Sequence, residues 1–231
     1  MMNKRYLTED EQRRLLKAVQ ARGSVLAQRD HAWMRLLIET GMRINELATT
    51  TLAQAERALI TGWLVIKAEQ RKGKKHGHEY TVTAPVRESL QALIALHHEL
   101  RPLGVPMAMA LPLIWGRCGE IKGVYRADHM SIRSFQARTQ EWAMLAGLPD
   151  GVSPHWMRHS RGVNIINRCR GKNPIKVVQL ALGHESIASS GIYTQMNREA
   201  FEREMHNVAG GRMRKADARA EGQHKGANHA V

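Results

Sequence analysis

Helix punctuation constrains this chain more than any other feature, because caps and stops recur along most of its length and paired-strand signals occur once. "YLTEDEQRRLLKAV" opens with Thr8, carries Glu11 three residues later and is acidic in its first turn, the pattern of a capping box. "HAWMRLLIETG" reads as a second helix that stops at Gly41, and "RINELATT" as a short third one. Further helical patterns run over 86–100, 128–146, 154–169, 174–182 and 197–208. Pro154 and Pro174 stand where a first helical residue belongs, behind Ser153 and Asn173 as caps. The exception to helix is "WLVIK" (63–67) with "EYTVTA" (79–84), β-rich runs on either side of a polar stretch with glycine, which predict a hairpin with a long basic loop. The expected fold class is therefore mainly α with a small antiparallel hairpin or sheet, an α+β arrangement over 1–209. From Gly210 onward the basic tail "GGRMRKADARAEGQHKGANHAV" has almost no large apolar side chain, so 210–231 are expected to be disordered.

Charge narrows the partners. With 35 Lys and Arg against 21 Asp and Glu in 231 residues, the formal charge is +14, which favours a polyanion and nucleic acid first. The charge is clustered: 67–78 hold Lys67, Arg71, Lys72, Lys74 and Lys75 against Glu69 alone, and 153–176 hold six Lys or Arg and no carboxylate. One such run reads equally well as a solvated face, but two runs flanking a His/Arg helix point to a surface that grips a phosphate backbone. Cys118 and Cys169 are too few for a disulfide framework or a thiolate metal site. The N-terminus is charged and no run of about 18 apolar residues occurs, so neither a signal peptide nor a membrane span is supported. A cytoplasmic protein, nucleoid-associated when bound, is expected.

The segment "SPHWMRH" (153–159) admits three readings: a metal site, a phosphate-binding catalytic site, or a histidine pair that packs. At about 100° per residue, His159, Val163 and Ile166 share a stripe beside Trp156, which makes His159 a core or supporting residue, with His155 and Arg158 at its edge. A metal helix of the H-E-x-x-H kind needs a carboxylate where this one has arginine, and a cation beside a dication is unfavourable. An anion suits the pair better, since Arg158 offers a fixed fork and His155 a proton carrier that titrates near neutrality. Taken singly, Arg43 reads as a partner for Glu46, His184 as a capping residue and Tyr193 as a core aromatic.

Together these pieces resemble the catalytic domain of the tyrosine recombinase (phage integrase) family. "TGMRINEL" resembles its T-G-x-R-x-x-E-L box, "HWMRHS" its H-x-x-R-H-[ST] box, and "LGHESIASSGIYT" its L-G-H box with tyrosine nine residues after histidine. The resemblance covers about 5–205 and places Arg43, His155, Arg158, His184 and Tyr193 on the family's catalytic positions. Lys72 fits the family's hairpin lysine best and Lys74 second, with Lys75 also on the loop. Arg71, Lys74, Lys75 and Arg161 are expected DNA contacts, although Arg161 and Gly162 depart from the small or aromatic residues frequent there, a change expected to touch packing more than chemistry. The boxes begin too early for a separate N-terminal core-binding domain, so the chain resembles a catalytic domain alone, as in the small fimbrial-switch inverting recombinases.

What the resemblance implies is a site-specific recombinase that cleaves and rejoins DNA through a 3′-phosphotyrosyl intermediate, with no metal, cofactor or ATP. Its partners would be a double-stranded recombination site, further copies of the chain as a tetramer on DNA, and an accessory DNA-binding protein in place of the missing half. A DNA-binding module that keeps the fold without the chemistry, and a type IB topoisomerase, are the alternatives.

Overall fold

The computed structural model describes residues 6–73, 75–102, 111–121, 124–171, 173–191 and 205. The chain divides into two compact units, Met1–Tyr193 and Thr194–Val231, and the elements below belong to the first. They are α1 (Glu9–Gln20), α2 (Val25–Thr40), α3 (Ile44–Ala48), α4 (Leu52–Thr61), β1 (Trp63–Ile66), β2 (His78–Thr81), α5 (Ala84–Glu99), β3 (Trp115–Ile121), β4 (Val124–His129), α6 (Ile132–Leu145), α7 (Pro154–Arg168), α8 (Pro174–Leu182) and α9 (Ala188–Gly191). The mainly helical fold with small antiparallel sheets is the class expected from the punctuation.

The helix at the centre is α2. Nine of its 16 residues are buried, and it packs on α1, α5 and α7 together. Trp33 meets Phe135 of α6 edge to face, with centroids 5.0 Å apart. Leu36, Leu37, Leu47, Leu64, Ile66 and Leu90 fill the space around them and are fully buried. Truncating any of these to alanine is expected to cost about 2–5 kcal/mol. A polar pin sits in the same core: buried Asp30 accepts the indole N–H groups of Trp33 (3.0 Å) and Trp142 (2.9 Å) and ion-pairs with Arg29 and Arg138, joining α2 to α6.

Local signals placed most elements. Thr8 and Glu11 form the reciprocal capping box on α1, and the Asn173 side chain accepts from the Lys176 N–H at 3.0 Å. Gly41 and Gly183 end α2 and α8 in the left-handed conformation (φ 68° and 62°). Ser153 occupies the cap position of α7 without a side-chain cap bond; its carbonyl accepts from Trp156 N–H instead.

Elsewhere the elements depart from the expected pattern. α2 starts at Val25, behind a Ser24 cap, six residues before His31, where the expected segment begins. α4 is a helix where none was expected, with Thr51 and Gln54 forming its capping box and Gly62 its stop. A second hairpin, β3–β4, stands where a loop and the first residues of a helix were expected, and α6 begins only at Ile132 behind a Ser131 cap. That stretch alternates poorly because Gly116 and Gly119 interrupt it, and the register shifts between Trp115 and Cys118. The expected helix at 197–208 and the tail 210–231 lie outside the described residues, apart from helical Met205. No helix among the described residues is long and apolar enough to cross a membrane.

Candidate active site

Arg158 sets the geometry. Instead of lying at the edge of α7, it is 3% exposed, and its fork donates to the carbonyls of Gly41 (2.6 Å) and Leu182 (2.8 Å). Both acceptors lie at helix C-termini, so the guanidinium rests between the negative ends of α2 and α8. The buried face of α7 is therefore Pro154, Met157, Arg158, Ser160, Gly162 and Asn164, while Val163, Ile166 and His159 of the expected stripe are half-buried. The apolar period misled because those two carbonyls, far away in the chain, make the inward arginine favourable. Close packing is possible because Gly41 has no Cβ; one would collide with the Leu182 and Arg161 side chains.

Arg43 caps α3. Its backbone N–H donates to Glu46 Oε2 at 2.8 Å and its Nη1 to Glu46 Oε1 at 3.1 Å, the pairing expected from their spacing. The pairing is part of something larger, since fully buried Glu46 also accepts from Tyr80 Oη (2.7 Å) and Arg71 Nε (3.1 Å). Burial pulls the Glu46 pKa upward, but the Arg43 N–H, the Tyr80 hydroxyl and the charges of Arg43 and Arg158 outweigh it, so the carboxyl lies below its ordinary range. Burial, then the Glu46 charge, raises the Tyr80 phenol well above its usual value, keeping it a neutral donor. The role of Glu46 beyond Arg43, and the whole contribution of Tyr80, were missed by sequence reasoning. The glutamate was visible in "TGMRINEL"; the tyrosine sits on β2, and nothing local pairs it with residue 46.

His184 follows left-handed Gly183. Its N–H donates to Gln179 O at 3.0 Å, and its Nδ1 lies 2.9 Å from the hydroxyl of buried Ser190. Burial first, then the charges of Arg158, Arg43 and His159, lower its pKa to about 4. The imidazole is neutral at pH 7. Exposed His155 stands edge to face on His159, with centroids 4.3 Å apart.

Arg158 and Arg71 both reach the turn that carries His184, and Arg71 shares Glu46 Oε1 with Arg43. Lys72 and Lys75 lie exposed between β1 and β2, while Lys74 and Tyr193 fall outside the described residues. Arg71 and Arg161, expected as DNA contacts, turn inward. Arg71 is engaged with Glu46 and three carbonyls. Arg161 pairs with Glu39 at 3.7 Å, and burial lowers its pKa. No cluster of three or more His, Cys, Asp or Glu able to hold a metal occurs among the described residues.

The family model for the phage integrase family matches residues 5–200. The chain belongs to that family. Among curated relatives of this phage integrase family member, the tyrosine recombinase XerC of Neisseria gonorrhoeae is 29% identical over 181 residues, covering 78% of this chain and 52% of the relative. XerC 1 of Ralstonia nicotianae is 31% identical over 179 residues, covering 74% and 50%. The chain spans about half the length of these relatives. Its fold resembles the crystal structure of XerA recombinase (TM-score 0.62, 22% identity, 88% of this chain and 63% of that one). It also resembles the Tn1549 transposon integrase solved with transposon right end DNA (TM-score 0.65, 17% identity, 90% and 67%).

Proposed function

We propose that this chain is the catalytic part of a site-specific DNA recombinase that cuts and rejoins strands through a covalent phosphotyrosine. The observation that carries the reading is that the turn bearing His184 gathers the cations: Arg158 donates to Leu182 O, and Arg71, which shares Glu46 Oε1 with Arg43, donates to Gly183 O, a focus of positive charge that suits a phosphodiester. In the proposed reaction, Arg43 and Arg158 balance the charge on the nonbridging oxygens as the pentacoordinate transition state forms. Such charges act best when fixed beforehand, as Arg158 is by its two carbonyls. His184 presents a ring N–H to a phosphate oxygen while Ser190 holds Nδ1.

Tyr193 is the nucleophile: its oxygen bonds to phosphorus as the bond from phosphorus to the 5′-oxygen breaks, leaving a 3′-phosphotyrosyl link and a 5′-hydroxyl. His155 takes the phenolic proton and Lys72 protonates the departing 5′-oxygen. One diester replaces another, so the reverse attack by a 5′-hydroxyl from a second duplex joins strands without ATP. The balancing charge comes from guanidinium groups, and no step calls for a metal. Lys75, exposed between β1 and β2, and Lys74 are proposed backbone contacts.

The functional assembly is proposed to be a tetramer on two DNA sites, in the cytoplasm and on the nucleoid while bound, with an accessory DNA-binding protein supplying further grip. A cleft of about 740 Å³ lined by Trp63, Val65, Val177 and Leu180, with Arg161 and Glu39 at its polar side, offers an apolar seat for the C-terminal segment of a neighbouring copy.

The test uses nicked duplex fragments of the DNA adjoining the coding sequence, with adducts resolved on a denaturing gel. The expected result is an EDTA-resistant covalent complex that vanishes in Tyr193→Phe while DNA affinity stays within a few-fold. An adduct that persists in the phenylalanine variant overturns the assignment of the nucleophile, and binding without any adduct leaves a DNA-binding module. Relaxation of supercoiled plasmid lacking a site makes the chain a topoisomerase.

A further inference from the structure

Arg71 reads in the sequence as one more cation of the basic loop, yet its side chain is only 10% exposed. Nε donates to Glu46 Oε1 at 3.1 Å, the same oxygen that takes Arg43 Nη1. Nη1 donates to the carbonyls of His76 (3.0 Å) and Gly77 (3.2 Å), and Nη2 to that of Gly183 (2.8 Å). Three parts of the chain meet on this one side chain: the carboxylate beneath Arg43, the far end of the loop that carries Lys72, and the turn that sets His184.

The surroundings leave these contacts little slack. A Cβ on Gly183 would lie 2.7 Å from Arg71 Nη2 and 2.9 Å from His78 Nδ1, at a φ of +62°. His78 Nε2 approaches Ala181 O at 3.3 Å, so the hairpin and the end of α8 touch at two points. On the other flank, Asn45 Nδ2 donates to Gln70 O at 3.0 Å and Gln70 Nε2 to Thr49 O at 2.6 Å, fixing the backbone before Arg71 to α3. A planar fork with donors on three nitrogens serves a carboxylate and three carbonyls at once, and a single ammonium cannot.

We propose that Arg71 is a positioning residue that couples the lysine loop to the His184 turn and to Arg43. The proton donor and the phosphate-binding groups then keep one relative geometry. The inference rests on the phosphodiester-cleaving reading of the site. Proton transfer requires the lysine within hydrogen-bond reach of the leaving oxygen, and a misplacement of about 1 Å costs on the order of 10²-fold in rate. Because the guanidinium faces inward, its contribution to DNA affinity is small.

Arg71→Lys in the full chain tests this, first by amide hydrogen exchange without DNA. The amides of Arg71 and His184 are hydrogen bonded to Ala68 O and Gln179 O, both at 3.0 Å, and report the two segments. The lysine variant is expected to speed exchange around both and to leave α1 and α5 unchanged; acceleration confined to the hairpin overturns the coupling. If the variant folds poorly, wild type answers alone: over a sub-denaturing guanidinium series the two segments open with one common free energy, and separate openings overturn it.

The second readout is cleavage of nicked duplexes with oxygen or sulfur at the bridging 5′ position. Arg71→Lys is expected to slow the oxygen substrate by about 10²-fold and to regain about tenfold with sulfur, which leaves without a proton. Affinity for the duplex stays within about twofold, unlike the loss of a phosphate contact. A wild-type rate, or equal slowing on both substrates, overturns the positioning role, and a flatter salt dependence of binding makes Arg71 a phosphate contact instead. A wild-type chain that forms no adduct defeats the recombinase reading while the exchange result still decides the coupling.

Discussion

The two sides of the proposed site are built in opposite ways. Arg158 is buried between two helix ends, whereas Lys72 stands exposed on the turn between β1 and β2. The contrast follows from what each is asked to do. A charge that stabilises a transition state works best if nothing moves as the reaction proceeds, so it is anchored by the fold. A proton donor must approach an oxygen that arrives with the substrate, so it stands on an exposed turn. The loop is nevertheless tied at its neck by Arg71.

The sharpest way to break this contrast is to remove the anchoring without removing the charge. Arg158→Lys is expected to lower single-turnover cleavage by on the order of 10³–10⁵, the range for a transition-state arginine. The same change should cost about 1–3 kcal/mol in urea unfolding, because one ammonium cannot serve both the Gly41 and Leu182 carbonyls as the fork does. A lysine variant that retains a tenth of the wild-type rate would show that charge, and not its fixation, is what matters.

On the exposed side the pattern should invert. Lys72→Ala should slow cleavage by about 10²–10⁴-fold, with unfolding unchanged, and recover with a bridging 5′-sulfur. Lys74→Ala and Lys75→Ala should weaken DNA binding alone. Selective rescue of Lys74→Ala would move the acid two residues along the loop, and rescue of none would turn attention to His155.

Beneath Arg43, Tyr80→Phe removes one donor to buried Glu46 and is expected to cost about 1–3 kcal/mol of stability, measured by urea unfolding, with a rise in the Glu46 pKa. An unchanged midpoint would mean that the remaining donors to Glu46 suffice.

The smallest effect is set by pH. Burial lowers the pKa values of His31, His78, His97 and His184, the last to about 4. The unfolded chain binds protons to these groups at their ordinary values, near 6.5, so it carries more protons than the folded chain just below that pH. Stability should therefore be full above about pH 6.5 and decline as pH falls toward about 4. A series of thermal midpoints checks this, and His184→Asn should flatten part of the slope. A midpoint that does not change over that window would contradict the lowered pKa values of these histidines.

Local chemistry determined a good deal. Thr8 with Glu11, Asn173, Gly41 and Gly183 act within a few residues of themselves, so the ends of three helices could be read directly. The β1–β2 hairpin was legible for the same reason. The candidate site was legible as residue types at fixed spacings: Arg43 three residues before Glu46, His155 three before Arg158, His184 just past a glycine stop. Where local signals were weak, as in glycine-interrupted β3–β4, the reading failed.

The tertiary structure alone decided which way the cations face. Arg158 turns inward because of a carbonyl 117 positions away, and Arg71 because of another 112 positions away. Tyr80 meets Glu46 across 34 residues, and His184 owes its low pKa to burial and to cations from two other helices. Amphipathic periodicity treats every arginine as a surface residue. An arginine goes inside only where acceptors from distant segments converge, and the chain's local pattern carries no record of them.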